Sequence, residues 1–169
     1  MKNDFRSAGN TRSERFKAGL LRWWLAGMCY FLVGFGTQAG SLQDPMDLIF
    51  LLSVAVGLST IAIYQPIAYS VFNLEKNDVN LNRQYKERRG WKKALYNLLV
   101  VAKCTLIVFL VYLTYQNINI FFVQLRELPE ETVVLAGEPF GFATLYIIYH
   151  AALSGLVAKV RTYRKTDKN

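Results

Sequence analysis

The side chains best suited to chemistry in this chain are few, and the sole histidine heads them. His150 lies in the stretch LYIIYHAALSG, with Tyr146 four residues before it and Ser154 four residues after it. That spacing puts all three on one face of a helix. An imidazole can carry protons, but inside an apolar segment its ordinary role is that of a neutral hydrogen-bonding tie between helices. Gln65 occupies a second apolar segment at a similar depth, both groups being roughly 10–14 Å from the nearer basic flank at the rise of an α-helix. The sequence therefore predicts a hydrogen bond between Gln65 and His150, with Tyr146 and Ser154 as further intramembrane polar contacts. No acid stands at that depth to complete a Ser–His–Asp set, and the HExxH, P-loop and dinucleotide-binding patterns are missing. Neither catalysis, a cofactor nor a metal is implied.

A second candidate is RQYKERRGWKK, residues 83–93, where Tyr85 and Trp91 alternate with cations in the manner of a nucleic-acid patch. The distribution of charge along the whole chain gives it another meaning. Residues 1–22 hold six cations against two acids, residues 73–93 hold seven against three, and residues 159–169 hold five against one. By contrast, residues 39–47 hold only Asp44 and Asp47, and residues 124–138 hold Arg126 against Glu127, Glu130, Glu131 and Glu138. Basic and acidic connections alternate, and Lys and Arg in short connections stay on the cytoplasmic side of a membrane. The basic stretch is thus read as a topogenic loop beside anionic headgroups; no nucleic-acid partner is expected. The acidic outer connection is read as the complement of that charge.

Between these blocks lie four apolar runs, Trp23 to Gln38, Leu48 to Phe72, Leu95 to Leu125 and Phe140 to Val160. A helix needs about 20 apolar residues to cross a hydrocarbon core. A soluble four-helix bundle would interrupt such runs with polar residues on its outer faces, which Leu48 to Ile63 does not do. The expected fold is all-α: an integral membrane four-helix bundle with both termini inside and a cytoplasmic extension of the third helix. Its helices fall at about residues 20–38, 47–72, 95–125 and 139–160, within a domain spanning 17–160. A flexible basic arm (1–16) precedes it and a basic tail (161–169) follows it. Cys29 and Cys104 both lie within apolar runs, where cysteine acts as a small hydrophobe, so no disulfide is expected.

Local signals refine each run. Arg22, Trp23 and Trp24 read as membrane anchors at the start of the first, and Trp91 and Lys103 as anchors of the third, Lys103 reaching back to the headgroups. Gly36 and Gly40 have the spacing that lets helix backbones approach; Gly57 and Gly155 are further packing candidates. Asp44 and Pro45 mark the start of the second helix, and Pro66 should kink it. The third run is too long for one crossing, and its amides Gln116, Asn117 and Asn119 should approach the outer side. The segment VVL after Glu131 suggests a short strand or a fold-back. No convergent catalytic set emerges. The function expected is that of a non-catalytic accessory or assembly subunit in the plasma (inner) membrane, whose partners are the bilayer and another membrane protein or further copies of itself. The alternative is a transporter or channel component that forms its path as a homo-oligomer.

Overall fold

The computed structural model describes residues 12–39, 45–70, 89–129 and 138–166. All of the regular structure there is helical, in the order α1 (Arg12–Ala39), α2 (Pro45–Ser59), a π-helical segment (Thr60–Tyr64), α3 (Gln65–Ser70), α4 (Trp91–Leu125) and α5 (Pro139–Thr166). The segment α2–π–α3 runs as one rod, so the architecture is four rods. Each of the four is long and apolar enough to cross a membrane, which supports a multi-pass membrane protein. The expectations that concern residues 1–11, Gly40, the turn before Pro45, residues 71–88 and the VVL segment lie outside the described residues.

Contacts fix the rods in an up-and-down ring. Arg22 and Cys29 of α1 meet Tyr64 and Ser59, while Gly57 and Gln65 meet Val101 and Tyr96 of α4. Lys103 and Thr114 of α4 meet Ser154 and Tyr149 of α5, and Arg22 and Tyr30 of α1 meet His150 and Phe142 of α5. In each pair one number rises as the other falls, so neighbouring rods are antiparallel. The beginnings of α1 and α4 and the ends of α3 and α5 share one end, here called the basic end. The ends of α1 and α4 and the beginnings of α2 and α5 share the other, the acidic end.

The centre is a dry layer. Ile107, Val108 and Val111 are essentially inaccessible, packed with Leu52, Val56, Ala26, Phe142 and Ala143. The exterior is also apolar: Phe31, Phe35, Phe50, Ile120, Phe121, Ile148 and Leu156 are all exposed. A water-facing bundle would carry polar residues there; this surface suits hydrocarbon.

Element bounds differ from the sequence expectation at three places. α1 begins at Arg12, so residues 12–16 extend the first helix into the expected arm. α4 begins at Trp91 and runs unbroken for 35 residues, about 52 Å of helix. α5 continues to Thr166 through the expected tail. Charged residues at both places are good helix formers, and nothing in apolar patterning alone marks where a helix leaves the hydrocarbon.

The expected kink at Pro66 takes the form of a π segment. Proline has no N–H to give and its ring collides with the carbonyl one turn back. The chain widens immediately before it, the Gln65 N–H reaching the Thr60 carbonyl five residues earlier. Such widened turns are frequent at functional sites.

Close packing uses some of the expected glycines and some others. A Cβ added to Gly57 would stand 3.0 Å from Val101 Cγ2, so this glycine does admit α4. Gly36 and Gly155 face open space and hold no helix contact. The tight positions on the α1–α5 side are Gly27, where a Cβ would lie 3.3 Å from the Pro139 carbonyl oxygen, and Gly141, which makes room for the Tyr115 hydroxyl.

Candidate functional site

Three rods bring basic side chains to one place. Arg22 enters from α1, Lys103 from α4 and His150 from α5. The Arg22 Nη1 lies 3.0 Å from His150 Nδ1, and the Lys103 Nζ lies 3.3 Å from Nε2 on the other side of the same ring. Lys103 also donates to the Ser154 hydroxyl at 3.0 Å, and that hydroxyl donates to the His150 carbonyl one turn back at 2.7 Å. The Arg22 guanidinium covers the Tyr64 ring at 4.1 Å, a cation–π contact that the π segment aims. Tyr146 stacks near the His150 ring with centroids 6.4 Å apart.

Two corrections to the sequence reading follow. His150 pairs with Arg22 and Lys103, not with Gln65; the Gln65 amide instead donates to Tyr96 across a long 3.5 Å contact, and its Oε1 is buried without a partner. Equal depth is not equal azimuth: Gln65 reaches Tyr96 of α4, while His150 lies between Arg22 of α1 and Lys103 of α4. Lys103 turns across to α5 rather than out toward headgroups, because Ser154 and His150 offer acceptors that hydrocarbon does not. Of the remaining anchors, Arg22 is a member of the cluster, and the Trp23 indole donates to Thr144 at 3.1 Å and packs on Phe140. Trp24 and Trp91 are exposed.

Toward the dry layer the polar groups thin into a thiol–hydroxyl seam. Tyr146, 1% exposed, donates its hydroxyl to Cys104 Sγ at 3.3 Å, and Cys29 Sγ lies 3.2 Å from Ser59 Oγ. Both cysteines are free. Between Arg22, Tyr64, Ser59 and Tyr146 there is a cavity with room for about one water molecule, but its wall is almost wholly apolar, so it suits no polar guest. On the acidic side Thr114 and Tyr149 hydroxyls meet at 2.6 Å across α4 and α5. The amides Gln116 and Asn117, expected to approach the outer side, donate within α4 to the Tyr112 hydroxyl and the Leu113 carbonyl.

The cluster is partly readable in the sequence. Lys103 is the one cation inside the third run, and Ser154 shares the face of His150. Arg22 is the member that sequence reasoning misses, its depth masked by the two tryptophans that follow it. Counting inward from the limits of the apolar spans, Phe16 and Val157, puts Arg22 six residues deep and His150 seven, which is the signal that could have found it. Compared with protein-family models, curated proteins and solved structures, the chain shows no match, and the site stands on its own residues.

Proposed function

We propose that the chain is a small non-catalytic protein of the plasma (inner) membrane, an accessory or assembly subunit that packs against a larger membrane protein with both termini in the cytoplasm. The orientation rests on the basic end, to which the cation-rich segments belong. The observation that carries the functional reading is the division of labour between inside and outside. Interior polar groups such as Thr114 with Tyr149 tie rods together, and among the described residues Ile107, Val108 and Val111 pack into a buried apolar layer. The outside offers large exposed aromatics, Trp24, Phe31 and Phe35 on α1 among them, with an open apolar groove between α1 and α5 lined by Trp24, Met28, Phe31 and Phe140.

Catalysis has little to draw on. The seam supplies bases, thiols and phenols, and the carboxylates among the described side chains, Asp47, Glu127 and Glu138, lie at the acidic end. The competing reading, a homo-oligomeric path, would have to run between copies. Reconstitution of the purified chain alone into liposomes separates the two: the accessory reading expects no ion or solute flux above that of empty liposomes. Flux that falls on His150 substitution would support the path instead.

A further inference from the structure

We propose that Arg22, Lys103, His150 and Ser154 form an intramembrane receptor for a phosphate-type oxyanion. The argument begins with hydrogen-bond inventory. A guanidinium and an ammonium only donate, and a neutral imidazole has a single acceptor nitrogen. Yet Arg22 Nη1 and Lys103 Nζ approach the two nitrogens of the same ring, at 3.0 and 3.3 Å. With both cations charged, one of these contacts sets N–H against N–H. The surplus is of donors and of positive charge.

Nothing described nearby neutralises it. The three carboxylates of the described side chains lie beyond the dry layer at the acidic end; Glu138, which precedes α5, is 12 residues before His150, about 18 Å of helix at 1.5 Å per residue. Ionised groups at that depth ordinarily pair with opposite charge. An anion with several acceptor oxygens, seated beside the His150 ring that separates Arg22 from Lys103, would draw the fork of the guanidinium, the ammonium and the imidazole N–H onto itself together. A tetrahedral phosphate presents oxygens in the several directions from which the three rods send donors.

Access is from the basic end. Arg22 is about 9 Å along its helix from Phe16 and His150 about 10 Å from Val157, the limits of their spans. The α4–α5 interface is the loosest of the four between neighbouring rods. Beside Ser154, Gly155 has nothing within 4 Å of where a Cβ would stand. The same chemistry fits a lipid phosphate drawn between α4 and α5 and free phosphate entering from the basic side.

The test uses the full chain, stripped of lipid in an uncharged detergent, and reads thermal unfolding and equilibrium binding. The probes are inorganic phosphate against chloride at equal ionic strength, and phosphatidylglycerol against diacylglycerol. Stabilisation by phosphate identifies a site open to the free anion, and stabilisation by phosphatidylglycerol alone identifies a lipid headgroup; both support the proposal. Lys103→Gln should weaken the binding at least about tenfold, the loss of one charge-assisted hydrogen bond, whereas Lys92→Gln at the exposed basic end should leave it unchanged. Should Lys103→Gln not fold, Arg22→Lys and Ser154→Ala carry the same expectation of weakened binding. Failure of both probes to stabilise the protein, or equal binding by the cluster variants and the wild type, overturns it.

Discussion

Replacing Gly57 tests how α2 and α4 hold together. A Cβ at this position would stand 3.0 Å from Val101 Cγ2, 3.3 Å from its Cα and 3.4 Å from its Cβ. Carbon atoms pack at about 3.5–4.0 Å, so even alanine is roughly 0.5 Å too close. Overpacking of this kind costs about 1–3 kcal/mol, while leaving glycine in a helix interior regains about 0.5–1 kcal/mol. Gly57→Ala should therefore lower stability by about 0–2.5 kcal/mol. Gly57→Leu drives three more carbons along the same line and should reach the upper end, about 3 kcal/mol, or separate the rods. Val101→Ala removes the nearest atom, so the pair Gly57→Ala with Val101→Ala should recover about 1 kcal/mol of the expected loss as a coupling. The backbone of residue 101 still stands 3.3 Å from the new methyl group, so recovery is partial. Unfolding in mixed detergent micelles, followed by loss of helical circular dichroism, measures the four variants against the wild type. Wild-type stability for Gly57→Leu, or a coupling of zero, would refute the close approach of α2 and α4.

Three further outcomes follow from particular side chains. His150→Phe removes the ring that Arg22 and Lys103 share and should cost about 1–3 kcal/mol in the same assay, with His150→Gln, which keeps an acceptor, losing less. Gln65→Leu should be neutral or stabilising within about 1 kcal/mol, since its donor bond is long, its Oε1 is already unpartnered, and replacing a poorly satisfied buried polar group by an apolar one of similar shape removes a penalty; a marked loss would mean that Oε1 has a partner in the membrane. Single cysteines at Lys159 and Glu138, modified by a membrane-impermeant thiol reagent added to intact cells, should react only at Glu138 if both termini are cytoplasmic.

Periodicity and composition tell much about the rods and little about their faces. Four apolar runs separated by charge blocks leave a hydrocarbon-spanning helix as the economical solution, and Pro66 announces a break wherever it falls. Azimuth is another matter. In a helix that is apolar all round, hydrophobic pattern does not say which side turns inward, so depth alone pairs Gln65 with His150 although they face different neighbours. The same blindness sends Lys103 to the headgroups: its reach is legible, but the presence of Ser154 and His150 across the α4–α5 interface is a property of the packed bundle. Gly57 sits in a run of small residues that marks it, whereas Gly27 and Gly141 are tight only because Pro139 and Tyr115 meet them. A glycine motif alone, such as that beginning at Gly36, marks an opportunity for close approach and not its partner.

The most direct measurement on the accessory reading is the composition of the complex released from native membranes. The tagged chain, isolated in mild detergent at native expression, would be weighed by native mass spectrometry and its bound proteins identified. The reading expects a foreign membrane protein in fixed stoichiometry, recovered again when that protein carries the tag and lost on replacing the exposed Trp24 and Phe31 with alanine. A homogeneous assembly of this chain alone, unchanged by those substitutions, would contradict it.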